Sequence, residues 1–171
     1  MAKLDYTLNI KSIFMFKWLT LSAVIVILDQ ITKFYAVQFL ILHEPRYIYS
    51  GLNFTLMYNT GAAFSFLSDA GGWQRWFLIG ISSIVSIIIV VWIYNVLRKS
   101  RYLLFALSFI LAGALGNLWD RLTLGYVVDF IEVHYQDLYW PAFNIADSSI
   151  TIGAILLIID TLLIDQEKNS L

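Results

Sequence analysis

The stretch QRWFLIGISSIVSIIIVVWIYNVL, residues 74–97, carries no charged side chain between Arg75 and Arg98. A helix needs about 20 apolar residues to cross a hydrocarbon core, and this run is long enough. It is continuous, whereas the strands of an outer-membrane barrel are alternating segments of about ten residues. Three further runs share its character, at about 18–39, 102–119 and 145–164. The expected fold class is an all-α membrane protein, four transmembrane helices in a single domain, residues 1–171.

Composition agrees. Hydrophobic residues make up 60% and charged residues 13% of the 171, against about 25% charged in soluble domains. Mean hydropathy is +0.75. A soluble domain this small has too much surface to cover with so few charges. The absence of cysteine excludes a disulfide framework, a zinc ribbon, an iron–sulfur cluster and a thiol nucleophile. With net charge -1 and no basic tract beyond Arg98-Lys99-Ser100-Arg101, nucleic acid is not an expected partner. Two prolines and no Ser/Gly/Pro-rich run leave no linker, and no repeat at a solenoid period is visible.

The first run, preceded by Lys11 and Lys17, has the outline of a cleavable signal peptide. Asp29, Gln30 and Lys33 follow without an A-x-A site, and three more runs come after, so it reads as a retained helix. Lys3, Lys11, Lys17, Arg98, Lys99, Arg101 and Lys168 fall on one face when the termini share a side. The positive-inside rule then makes that face cytoplasmic. Connections 40–73 and 120–144 would lie outside. Within the first, Leu52, Phe54, Leu56 and Tyr58 alternate with Asn53, Thr55, Met57 and Asn59. That is a strand pattern, and Ser50-Gly51 offers a turn, so a small β-containing extracytoplasmic loop region is expected. Residues 126–135 alternate less cleanly. Trp73, Trp76, Tyr139 and Trp140 suit an interfacial aromatic belt.

The acidic residues are unevenly spread. Asp29, Glu44, Asp69, Asp120, Asp129, Glu132, Asp137 and Asp147 fall on the outer side; Asp5, Asp160, Asp165 and Glu167 fall on the other. Ionisable groups at membrane depth are costly and mark polar cavities. Asp29 and Lys33, acid first at i, i+4, read as a structural pair with the Lys33 head snorkelling outward. A Ser–Lys dyad is disfavoured, because no matching serine stands out. Asn59-Thr60-Gly61-Ala62-Ala63-Phe64-Ser65 is either a closely packed turn or a place where an Asn amide holds a peptide backbone. Gly113, Asn117 and Arg121 share one face of the third helix; the glycine suits close helix approach. Arg121 has a carboxylate such as Asp120 or a substrate carbonyl as its expected partner.

Asp129 lies in Val127-Val128-Asp129-Phe130-Ile131, and Asp147 follows Asn144-Ile145-Ala146 at the start of the fourth helix. Singly, they read as a solvated loop carboxylate and a helix N-terminal acid. Together, at one depth in apolar surroundings, they read as a dyad sharing one proton, one carboxylate activating water while the other donates. No G-x-S-x-G or H-E-x-x-H motif competes. His43 and His134 lack metal-ligand spacing, so no metal site is expected.

Asp29-Gln30-Ile31-Thr32-Lys33, the Asn59–Ser65 motif, Gly113 through Arg121 with Val127-Val128-Asp129-Phe130, and Phe143-Asn144-Ile145-Ala146-Asp147 resemble the conserved boxes of the lipoprotein signal peptidase (type II signal peptidase) family. The resemblance covers nearly the whole chain. It implies an aspartic endopeptidase of the bacterial inner membrane that removes signal peptides from prolipoproteins before the diacylglyceryl-modified cysteine. It implies Asp129 and Asp147 as the catalytic pair, with Asp29, Asn59, Gly113, Asn117, Arg121 and Asn144 supporting the site. It also implies no cofactor, and sensitivity to globomycin-type inhibitors. Prolipoproteins and membrane lipids are the expected partners, and a monomer is expected. The first outer loop, with Phe54, Phe64, Phe66 and Leu67, is expected to close over substrate. The alternative function is a small proton-coupled transporter, and a third reading is a non-catalytic assembly factor. The first is disfavoured by carboxylates gathered at one face, and the second leaves the acids unexplained.

Overall fold

The computed structural model describes residues 2–61, 71–96 and 101–169. The chain runs α1 (Ala2–Phe39), β1 (Arg46–Tyr49), β2 (Leu52–Asn59), α2 (Trp73–Val96), α3 (Arg101–Thr123), β3 (Val127–Tyr135), β4 (Leu138–Tyr139), α4 (Ile145–Asn169). Among the described residues, four segments are long and apolar enough to cross a membrane: Phe14–Phe39, Trp73–Val96, Arg101–Thr123 and Ile145–Leu162. This is the four-helix membrane architecture with a small sheet that the sequence predicts. Ala62 to Ser65, Phe66, Leu67, Asp69 and the Arg98-Lys99-Ser100 connection lie outside the described residues.

α3 is the hub. Of its apolar window 61% is buried within the protein, against 17–22% for the other three spans. Its first half packs Leu103, Leu104, Leu107 and Leu111 against Ile89, Ile93 and Val96 of α2. Its other flanks meet α1 and α4. α2 and α4 turn Ile84, Ile87, Ile88, Ile155 and Ile158 outward, apolar surface that suits lipid rather than water.

The strands form one antiparallel sheet ordered β1-β2-β3-β4. The hairpin turn falls where Ser50-Gly51 predicts it. Gly51 has φ +89, and a Cβ there would lie 3.0 Å from the His134 carbonyl, while His134 N–H donates to Gly51 O at 2.9 Å. Only glycine accepts both that backbone angle and that approach. β2 pairs Met57 with Asp129 and Asn59 with Val127. Phe143 exchanges backbone hydrogen bonds with Ile131 at 2.9 and 3.0 Å, tying the chain before α4 to β3. A small cluster of Ala36, Leu56, Val128 and Phe130 fixes the sheet on the end of α1.

Candidate active site

Asn144 immediately precedes α4 and caps it. Its Oδ1 accepts from Asp147 N–H at 2.8 Å, and its own N–H donates to Asp147 Oδ2 at 3.2 Å. This is a reciprocal capping box with aspartate in the acidic position. The same side chain turns its Nδ2 to Asp129 Oδ1 at 2.6 Å. Asn144, fully buried, therefore joins the two aspartates that the sequence reading paired.

Asp129 sits in β3 and is 3% exposed. Asn59 Nδ2 donates to its Oδ2 at 3.2 Å, and Asn59 Oδ1 accepts from Gly61 N–H at 2.9 Å, which fixes the amide's direction. Burial pushes the Asp129 carboxyl up from its ordinary 3.8 to about 7. The negative charge of Asp147 pushes the same way, outweighing the donors Asn59 and Asn144 and the nearby Lys33. A carboxyl in this state carries a proton at and below neutrality.

Asn117, on α3, donates its amide to Asp147 Oδ1 at 2.7 Å and accepts from Lys33 Nζ at 3.0 Å. Because α3 continues to Thr123, Asp120 and Arg121 stay on its last turn. Of the two kinds of partner expected for Arg121, a carboxylate such as Asp120 or a carbonyl, Asp120 is not taken; the Arg121 Nη2 donates to the Gly61 backbone carbonyl at 2.7 Å and its Nη1 to that of Asn117 at 3.4 Å. Helical geometry explains this: neighbours in sequence diverge by about 100° around the axis, so Arg121 faces the site while Asp120 faces α1.

The Lys33 ammonium does not snorkel. Lys33 is 3% exposed and bonds Asp29 Oδ2 and Asp120 Oδ2, both at 2.9 Å. The α1–α3 contact supplies three acceptors, so the head has no reason to reach for water. Gln30 adds Nε2 to Asp120 Oδ1 at 2.8 Å. The glycines make room: a Cβ at Gly113 would lie 2.5 Å from Ile150 Cγ1, and one at Gly116 2.7 Å from Asp29 Oδ2. The sequence reading names Asp120 and Gln30 but gives neither a place in the site. Asp120 lies three residues after Asn117 and Gln30 beside Asp29, but their convergence requires α1 to lie against α3.

Asp129 and Asp147 line a cavity of about 790 Å³. Its polar end holds Asn59, Asn117, Arg121 and the two carboxyls, and the chain from Trp140 to Phe143 forms one rim. The rest of the wall is largely apolar, from Ile81 and Val85 of α2, Ile110 and Ala114 of α3, and Ile150 of α4. Asp29, Lys33, Gly113 and Asn144 stand behind that wall and do not line it. His43 contacts Met57 Sδ and His134 stacks on Tyr139, both on the sheet. Among the described residues, no three His, Cys, Asp or Glu side chains gather as metal ligands.

A multi-pass membrane bundle whose cavity ends in two amide-held carboxyls defines the class: a membrane-embedded protein built for polar chemistry on a partly apolar ligand. Residues 21–163 match the family model of signal peptidase (SPase) II. A lipoprotein signal peptidase of Acinetobacter baumannii is 53% identical over 151 residues, 88% of this chain and 86% of the relative. That of Teredinibacter turnerae is 53% identical over 85% of this chain and 87% of its own length. A bacterial membrane enzyme structure solved by the in meso method superposes with TM-score 0.75 at 35% identity, covering 89% of this chain and 90% of that one. The chain belongs to the signal peptidase II family, and is a multi-pass protein of the bacterial inner membrane.

Proposed function

We propose that this protein removes signal peptides from lipid-modified prolipoproteins as an aspartic endopeptidase, with Asp129 and Asp147 as the catalytic pair and the cut made before the lipidated cysteine. The observation that carries the reading is Asn144, whose one side chain contacts Asp129 and caps the helix turn bearing Asp147. The two carboxyls thus face one cavity with one proton to share. Asp129 holds that proton, consistent with its raised pKa near 7. Asp147 is the anion, at the N-terminus of α4 where negative charge is favoured.

Asp147 takes a proton from water as the water oxygen attacks the scissile carbonyl carbon, and Asp129 gives its proton to the carbonyl oxygen. The tetrahedral intermediate collapses as the C–N bond breaks. The leaving nitrogen takes the proton from Asp147, and a hydroxyl of the intermediate returns one to Asp129. Arg121 and Asn59 hold the peptide backbone beside the pair. The apolar wall receives the signal peptide and the lipid chains. α2 and α4 both contribute to that wall but hardly touch each other, which supports a lateral opening between them. The Lys/Arg bias supports cytoplasmic termini and a site near the outer face.

The test is cleavage of a diacylglyceryl-modified prolipoprotein peptide in detergent, with mass spectrometry of the products. Wild type yields a fragment beginning at the lipidated cysteine; folded Asp129→Asn and Asp147→Asn yield none. Near-wild-type turnover by either variant overturns the pair, and a fragment beginning elsewhere overturns the cut position.

A further inference from the structure

Asp29, Lys33 and Asp120 are ionisable, buried, outside the cavity wall, and so far without a task. Their contacts suggest one. Asp29 Oδ1 accepts the backbone N–H of Ala146 at 2.8 Å, the residue just before Asp147. Asp120 Oδ2 accepts the backbone N–H of Val128 at 3.1 Å, the residue just before Asp129. Lys33 Nζ bonds both carboxylates at 2.9 Å and spends its third donor on Asn117 Oδ1 at 3.0 Å. Asn117 in turn holds Asp147. An ammonium has three donors, and all three are used within this group.

We propose that Asp29, Lys33 and Asp120 form a positioning clamp for the catalytic pair, each carboxylate fixing the main chain one residue ahead of one aspartate while Lys33 locks the two carboxylates together. The proposal rests on the dyad reading above. Neither N–H has an obvious alternative partner. Ala146 belongs to the first turn of α4, whose N–H groups have no partner within the helix. Val128 lies in β3 with its N–H turned toward α3. Asp29 reaches its target from α1 and Asp120 from α3, so the clamp sets α4 and β3 against a common base. Gln30 braces it, donating to Asp120 Oδ1 at 2.8 Å and to Asp29 Oδ2 at 3.2 Å. Catalysis is sensitive to placement, since an error of about 1 Å costs on the order of 10²-fold in rate.

A positioning role separates kcat from KM, which a merely structural role does not. Full-length protein is purified in detergent as wild type, Asp120→Asn, Asp29→Asn, Gln30→Leu and Asp129→Asn, and its fold is checked by thermal melting. An asparagine at 120 cannot accept from Val128 and Gln30 while also facing Lys33. Asp120→Asn therefore lowers kcat on the order of 10²-fold with KM held within about twofold. Gln30→Leu removes one brace and lowers kcat about fivefold. In ¹⁵N-Val and ¹⁵N-Ala labelled protein, Asp120→Asn moves the Val128 amide signal and Asp29→Asn moves that of Ala146. Folded Asp120→Asn with wild-type kcat, or with KM raised and kcat intact, overturns the clamp. If Asp120→Asn does not fold, Gln30→Leu decides, and wild-type kcat there overturns it equally. An active Asp129→Asn removes the dyad and the clamp together. An inactive Asp129→Asn beside a fully active Asp120→Asn removes the clamp alone.

Discussion

The two halves of α3 hold their neighbours by opposite means. From Leu103 to Leu111 the helix meets α2 through a cluster of leucines and isoleucines, and polar contacts along it end on backbone carbonyls: the Ser108 hydroxyl bonds the Leu104 carbonyl at 2.8 Å, the Ser108 carbonyl accepts from Ser22 at 2.9 Å and the Phe109 carbonyl accepts from Ser149 at 2.7 Å. From Gly113 to Arg121 it sheds side-chain bulk, then presents Asn117, Asp120 and Arg121 to α1, α4 and the sheet. Lipid offers no hydrophobic advantage for helix contact, so the first half depends on van der Waals packing. In the second half, each polar group left without a partner would cost more than it would in water. The first half tolerates approximate fit. The second depends on pairing that is nearly complete, Arg121 Nε being buried without a hydrogen-bond partner among the described residues.

That contrast can be broken by substitution. The largest effect is expected from Asn117→Leu, which takes the amide donor from Asp147 Oδ1 and one of the three acceptors from Lys33; kcat in the lipopeptide assay should fall by at least about 10²-fold. A variant with kcat within a factor of three would show that the polar half does not serve the site. Gly113→Ala comes next. Its Cβ would meet the Ala146 carbonyl and Ile150, pushing back the first turn of α4, which carries Asp147. Melting temperature and turnover should therefore fall together, and a lowered melting temperature with unchanged turnover would separate packing from catalysis here. Leu107→Ala, in the apolar half, should cost about 2 kcal/mol of stability and leave kcat of the folded protein unchanged. A tenfold loss of kcat there would mean that the halves are coupled.

The smallest expected effect is a pH dependence. Asp129 is raised from 3.8 to about 7, so the folded protein keeps a proton that the unfolded chain releases between those values. The group's contribution to stability is full below its unfolded pKa and is lost as pH rises through about 7. Asp129→Asn has no such proton to lose. Its melting temperature relative to wild type should therefore climb from about pH 5 to about pH 8, and a flat difference would contradict the raised pKa.

Much of the fold was legible because its signals are local. Continuous apolar runs mark helices, and alternation from Leu52 to Tyr58 with Ser50-Gly51 marks the hairpin. β3 was harder to read, because Val127, Val128, Asp129 and Phe130 are all buried and a strand covered on both faces loses its alternation. The polar residues of the site were visible one by one as costly groups at membrane depth. Their division of labour was not. Lys33 looks like a surface residue until α3 supplies Asp120 and Asn117, and Asp120 looks like a partner for Arg121 until the helix turns them apart. Such pairings join residues more than eighty positions apart, and nothing in the spacing along the chain records them.

The capping box at Asn144 has a consequence for biosynthesis. The side chain that starts α4 also holds Asp129, and the first turn of α4 is anchored to α1 through Asp29. α4 is thus the helix that ties the site to α1. A chain halted after three spans would carry Asp129 but lack Asn144, Asp147 and the partner of Asp29. On the proposed reading, catalysis would wait for the insertion of α4.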